Sequence, residues 1–97
     1  MYTITKLKQT CSGYPSQWEG KTKHDTYVFI HYRYGIFRIE EAETKEEWYD
    51  NGKFFKEIVN LTLGDELGGI ITNKGLLDIL KIRGIKITDQ EFLNDCN

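Results

Sequence analysis

The first part of the chain alternates apolar and polar residues with the period of two that marks β-strands. Residues 2–10, YTITKLKQT, set Tyr2, Ile4 and Leu7 against Thr3, Thr5, Lys6 and Lys8, with a slip of phase near Lys6. CSGYPS at 11–16 is loop chemistry, since Ser, Gly and Pro together punctuate a chain. QWEGKT at 17–22 predicts a second strand, and Lys23, His24 and Asp25 the turn after it. YVFIHYRY at 27–34 predicts a third strand. Gly35 separates it from a fourth at 36–42.

The pattern then changes. Thr44 with Glu47 forms a capping box, in which the hydroxyl accepts from an orphan amide of a helix start. The helix carries Trp48 and Tyr49, and Gly52 is its stop signal. In residues 54–63, Phe55, Val59, Leu61 and Leu63 share one alternating face. This predicts a fifth strand, with a helix over its first half as the alternative. Gly64, Gly68 and Gly69 mark a loop. Thr72 or Asn73 caps a second helix whose apolar side holds Leu76, Leu77, Ile79, Leu80 and, at its end, Ile82, and Gly84 ends it. Ile85 and Ile87 read as a short extended piece. Thr88 with Glu91 is a second capping box, so a last helix is expected there, with Ile87 stapled onto Phe92. The sum is an α+β fold in a single domain, 1–97. It has an antiparallel meander of four to five strands and two to three short helices packed on one face.

The third and fourth strands form a hairpin if Tyr34 and Gly35 are its turn residues, because glycine supplies the positive φ such turns need. Arg33 then faces Ile36, Tyr32 faces Phe37, His31 faces Arg38 and Ile30 faces Ile39. One sheet face collects Val28, Ile30, Tyr32, Phe37 and Ile39, a core. The other collects Tyr27, Phe29, His31, Arg33, Arg38 and Glu40, and is cationic and aromatic. The place of Trp18 depends on the preceding loop. A two-residue loop, His24-Asp25, puts it opposite His31. A three-residue loop, Lys23 to Asp25, puts it opposite Ile30, and burial favours this one.

Composition narrows the function classes. Thirteen basic and fifteen acidic side chains give a net charge of −2, which argues against a generic DNA-coating protein and makes nucleic acid an unfavoured partner. Aromatics at 13% suit pleated surfaces and also surfaces that bind flat ligands. No apolar run approaches a membrane span, and the start has no signal-peptide core. With only Cys11 and Cys96, a cytoplasmic protein with reduced thiols is expected.

The candidate chemistry lies on the second face of the hairpin. Arginine forks match phosphate or carboxylate, and neighbouring aromatics stack on bases. Arg33, Arg38, His31 and Phe29 are therefore candidate ligand-binding residues, with Trp18 and Tyr14 as further aromatic partners. The plain alternative is a solvated face on which Arg38 pairs with Glu40 or a neighbouring acid. No catalytic residue is assigned. Cys11 sits in a loop without a family signature around it, and the cysteines and histidines lack zinc-ligand spacing, so neither metal nor cofactor is expected.

Cys11, the run Pro15-Ser16-Gln17-Trp18-Glu19-Gly20 and the hairpin Tyr32-Arg33-Tyr34-Gly35 together resemble a group of small, uncharacterised bacterial and phage proteins. These share a Pro-Ser-Gln-Trp-acid-Gly loop and a Tyr-Arg-aromatic-Gly hairpin. The likeness is confined to the early part of the chain and implies no activity. Tyr14 stands before the proline where the pattern would have a small residue or cysteine. The phage association implies an accessory or anti-defence protein that acts by binding. The expected function is a non-catalytic module holding an anionic, nucleotide-like ligand, its shallow site completed across a homo-oligomer. The alternative is an inhibitor or adaptor that docks on a host protein, and an enzyme working through Cys11 is a third, weaker reading.

Overall fold

The computed structural model describes residues 2–11, 16–51, 56–64 and 71–91. Seven strands and two helices lie within them, in the order β1 (Tyr2–Cys11), β2 (Ser16–Thr22), β3 (Tyr27–Arg33), β4 (Ile36–Ala42), α1 (Lys45–Asn51), β5 (Lys56–Thr62), α2 (Asn73–Ile82), β6 (Ile85–Ile87) and β7 (Gln90–Glu91). All strands join one sheet, ordered β5-β4-β3-β2-β1-β6, with β7 also pairing β1. The antiparallel meander is thus present. The sheet exceeds the expected four to five strands because two short pieces after α2 pair in parallel with β1.

The β3–β4 hairpin has the register that alternation implied, from Arg33 opposite Ile36 to Ile30 opposite Ile39. Its turn places both Tyr34 (φ 56°) and Gly35 (φ 76°) in the left-handed region. That pair of dihedrals matches the right-handed twist of the strands on either side. At the other end of β3, Thr22 and Thr26 bracket a three-residue loop, Lys23 to Asp25. Trp18 therefore lies opposite Ile30.

The phase slip in β1 is a bulge. Pairing with β2 shifts between Ile4 and Lys6 and again between Gln9 and Cys11. An extra residue at Thr5 returns Leu7 to the face of Ile4, so both are buried. Gly20 lies across from this irregularity. A Cβ there would sit 1.9 Å from the Lys6 carbonyl oxygen, so only glycine fits.

The main core lies between the sheet and α2. Trp18, Ile30, Phe37, Ile39, Leu76 and Leu80 are essentially sealed from solvent. Thr72 caps α2, its side chain accepting from the Gly75 amide at 3.0 Å. Buried polar groups pin the helix start to the sheet. Trp18 Nε1 donates to Asn73 Oδ1 at 3.0 Å, Asn73 donates onward to Gln9 Oε1 at 3.3 Å, and the Ile71 amide donates to Ser16 Oγ at 2.9 Å. At the far end of the core Tyr2 Oη donates to Glu41 Oε1 at 2.9 Å, and Thr26 donates to the other carboxylate oxygen.

Two expectations are corrected. The helices do not share one face: α2 covers the core, whereas α1 lies on the opposite side, where Trp48 packs against Tyr27, Phe29 and Ala42. Nor does a helix begin at Thr88. Its amide donates to the Ile4 carbonyl and its hydroxyl to the Thr5 carbonyl, and Gln90–Glu91 continue as β7 beside Leu7 and Lys8. An unpaired edge of β1 outcompetes the local capping signal, because each edge amide and carbonyl needs a partner. The expectations for Gly52, Phe55, Gly68, Gly69 and Phe92 lie outside the described residues.

Candidate functional site

Alternation along β3 and β4 sends Phe29, His31, Arg33 and Arg38 to the face opposite the main core. Only Glu43 and Thr44 separate β4 from α1, so the helix must fold back beside the end of its own strand. Thr44 Oγ1 accepts from the Glu47 amide at 3.1 Å, which starts the helix where the capping box predicted. This sets Trp48 over Phe29, ring centroids 4.3 Å apart, with Tyr49 edge-on to Trp48 at 4.9 Å.

A groove of about 410 Å³ opens between α1 and the hairpin. Phe29, His31, Trp48 and Tyr49 line one part of it. Gln17, Arg33, Tyr34, Ile36 and Arg38 line the rest. Four of the expected site residues are thus brought together. Trp18 is not among them: it is fully buried on the other face, where its indole N–H is used by Asn73. Tyr14 lies outside the described residues. Trp48, Tyr49, Tyr34 and Gln17 join the site without having been singled out for it. The short β4–α1 link was the available signal for the first two.

Glu40 stands near the groove, and it is already engaged. Glu40 is 4% exposed, and its Oε1 accepts from His31 Nε2 at 3.2 Å and from Trp48 Nε1 at 3.3 Å. Burial alone would raise its carboxyl. The His31 hydrogen bond and charge, the Trp48 hydrogen bond and the field of Arg38 outweigh that and hold it below its ordinary value. Arg38 therefore does not pair with Glu40 as a solvated face would have it. Among the described residues neither Arg33 nor Arg38 makes an ion pair, and Arg38 Nε is buried with no acceptor. The guanidinium of Arg33 lies 4.8 Å from the centre of the Tyr34 ring.

On the other flank of α1 a cavity of about 730 Å³ is lined by Lys6, Lys8 and Lys21 of the strands, Glu43 and Glu46 before and in the helix, and Glu91 of β7. Its charges are of both signs, and two of its lysines are already paired, Lys45 with Glu19 at 3.1 Å and Lys21 with Asp25 at 3.2 Å. Tyr27 Oη donates to Glu19 at 2.9 Å. Burial, then that hydrogen bond, push the phenol well above its usual range, so it stays a neutral donor.

Cys11 is disulfide-bonded rather than a thiol. Its sulfur is therefore no nucleophile in this state. The second cysteine, Cys96, lies outside the described residues. The described residues hold no group of three or more His, Cys, Asp or Glu able to bind a metal ion, and no helix long and apolar enough to cross a membrane.

Comparison with family models, curated proteins and solved structures finds no match to this chain.

Proposed function

We propose that the protein is a non-catalytic binding module that holds an anionic, nucleotide-like ligand in the groove between α1 and the β3–β4 hairpin. The observation that carries this reading is the pair Arg33 and Arg38: two guanidiniums without an acidic partner among the described residues, in a groove walled by aromatic rings. Such donors bind phosphate through charge-assisted hydrogen bonds, and the rings supply stacking area for a base. Glu40 is occupied by hydrogen bonds from His31 and Trp48, and Arg38 acts on it through its field without forming an ion pair. Sequestration of a nucleotide signal, in the manner of a phage anti-defence protein, is one of the two binding roles compatible with the Pro-Ser-Gln-Trp-Glu-Gly and Tyr-Arg-Tyr-Gly resemblance, the other being the blocking of a host protein. Assembly into a homo-oligomer would deepen so open a groove.

The test is calorimetric titration with a panel of nucleotides at low salt. Binding is expected for phosphorylated members, with a loss of about tenfold or more on Arg33→Ala or Arg38→Ala, the order of one charged hydrogen bond. The absence of binding by the unsubstituted protein, or affinity unchanged in both variants, would sink the proposal. Exposed Tyr34 (57%) beside Arg33, with Tyr49 (52%) on the other wall of the groove, also suits a protein hot spot. A stoichiometric host partner, captured without any nucleotide affinity, would favour that alternative.

A further inference from the structure

Four large apolar side chains among the described residues are markedly exposed, and two of them, Tyr34 and Tyr49, line the same groove from different walls. Tyr34 sits at the tip of the hairpin and Tyr49 on α1. Each ring carries a cation: Arg33 lies 4.8 Å from the Tyr34 centroid and Lys45 5.5 Å from the Tyr49 centroid. A cation occupies only part of a ring: Tyr34 stays 57% exposed, and Tyr49, which also meets Trp48 at 4.9 Å, stays 52% exposed, so each retains surface for a second flat group. Tyr34 is also held at φ 56°, a conformation that disfavours a bulky side chain and that Asn or Gly adopts with little cost. An aromatic residue kept where the turn chemistry disfavours it points to use of its ring rather than to the needs of the turn.

Resting on the reading of the groove as an anion site, we infer that its ligand is a dinucleotide: two bases, one stacked on Tyr34 and one on Tyr49, joined by phosphate held at Arg33 and Arg38. A mononucleotide would use the arginines and a single ring. The groove volume of about 410 Å³ accommodates the sugar–phosphate centre of such a ligand, with the bases lying out on the half-exposed rings.

The experiment compares the linear dinucleotide pApA with AMP on the full chain, using the unsubstituted protein, Tyr34→Asn and Tyr49→Gln. Tyr34→Asn keeps the turn and Tyr49→Gln keeps the helix, so thermal melting should show both variants folded. The dinucleotide is expected to bind about tenfold or more tightly than AMP, the order supplied by one additional base–aromatic stack. Each variant should lose most of that preference. Equal affinity for the two ligands, or a preference that survives both substitutions, overturns the dinucleotide inference and leaves the anion site standing. Binding of neither ligand overturns both.

Discussion

On the face that α2 covers, Trp18, Ile30, Phe37 and Ile39 are closed off from solvent, and the polar groups among them find protein partners. On the face that α1 touches, Phe29 and Trp48 meet, yet Arg33, Tyr34 and Tyr49 stand open. The same strands supply both surfaces, residue by residue. A seven-residue helix is too short to roof a sheet, so α1 makes a wall instead, and the uncovered part beside it becomes the groove. The difference teaches that one face holds the fold together while the other leaves aromatic and cationic side chains open.

The contrast is best broken with its two tryptophans. Trp18→Ala should destabilise the protein by about 3–5 kcal/mol in urea unfolding, because it removes a large sealed side chain and leaves Asn73 Oδ1 without its indole donor. Trp48→Ala should cost about 1–2 kcal/mol, since the ring is half-buried and its loss leaves the main core intact. Equal losses would mean that both faces are structural.

A smaller effect sharpens the role of Glu40. Its folded carboxyl is held below the ordinary value of 4.5, so the ionised form stabilises the fold. That contribution is complete above the ordinary value and fades as pH falls through the lowered one. Glu40→Gln removes it. The stability gap between wild type and variant should therefore narrow as pH drops below 4.5, as thermal melts across the acid range would show. A gap that widens on acidification would contradict the arrangement of His31, Trp48 and Arg38 around this acid.

The smallest effect has the opposite sign. Tyr34→Asn should raise stability by about 1 kcal/mol, because Asn tolerates the left-handed turn position better. A gain in stability coupled to weaker ligand binding would separate the tip of the hairpin from the fold it closes.

Much of the core face was legible in the sequence. Alternation with Gly35 fixed the hairpin register, and the three-residue loop favoured by burial placed Trp18 correctly. Even the phase slip near Lys6 was visible, although its cause, a bulge accommodated by Gly20, needed the neighbouring strand. That neighbour also gives the Ser-Gln-Trp-Glu-Gly stretch a structural meaning. Ser16 binds the Ile71 backbone, Trp18 fills the core and Gly20 admits Lys6. The site was half legible. Arg33, Arg38, His31 and Phe29 were found because they share one strand face, which is a local property. The side on which α1 docks is not local, so Trp48 and Tyr49 were placed only by the structure. The same limit hid β7. Thr88 and Glu91 look like a helix start until the edge of β1 is seen beside them.

That edge bears on how the chain comes together during synthesis. β1 precedes the other described strands, yet its outer side is completed only by residues 85–91, after everything between has been made. Until then the strand presents a row of unsatisfied amides and carbonyls, a template for pairing with another molecule. Lys6 and Lys8, exposed on this strand, put like charges along that border and repel a second copy of it.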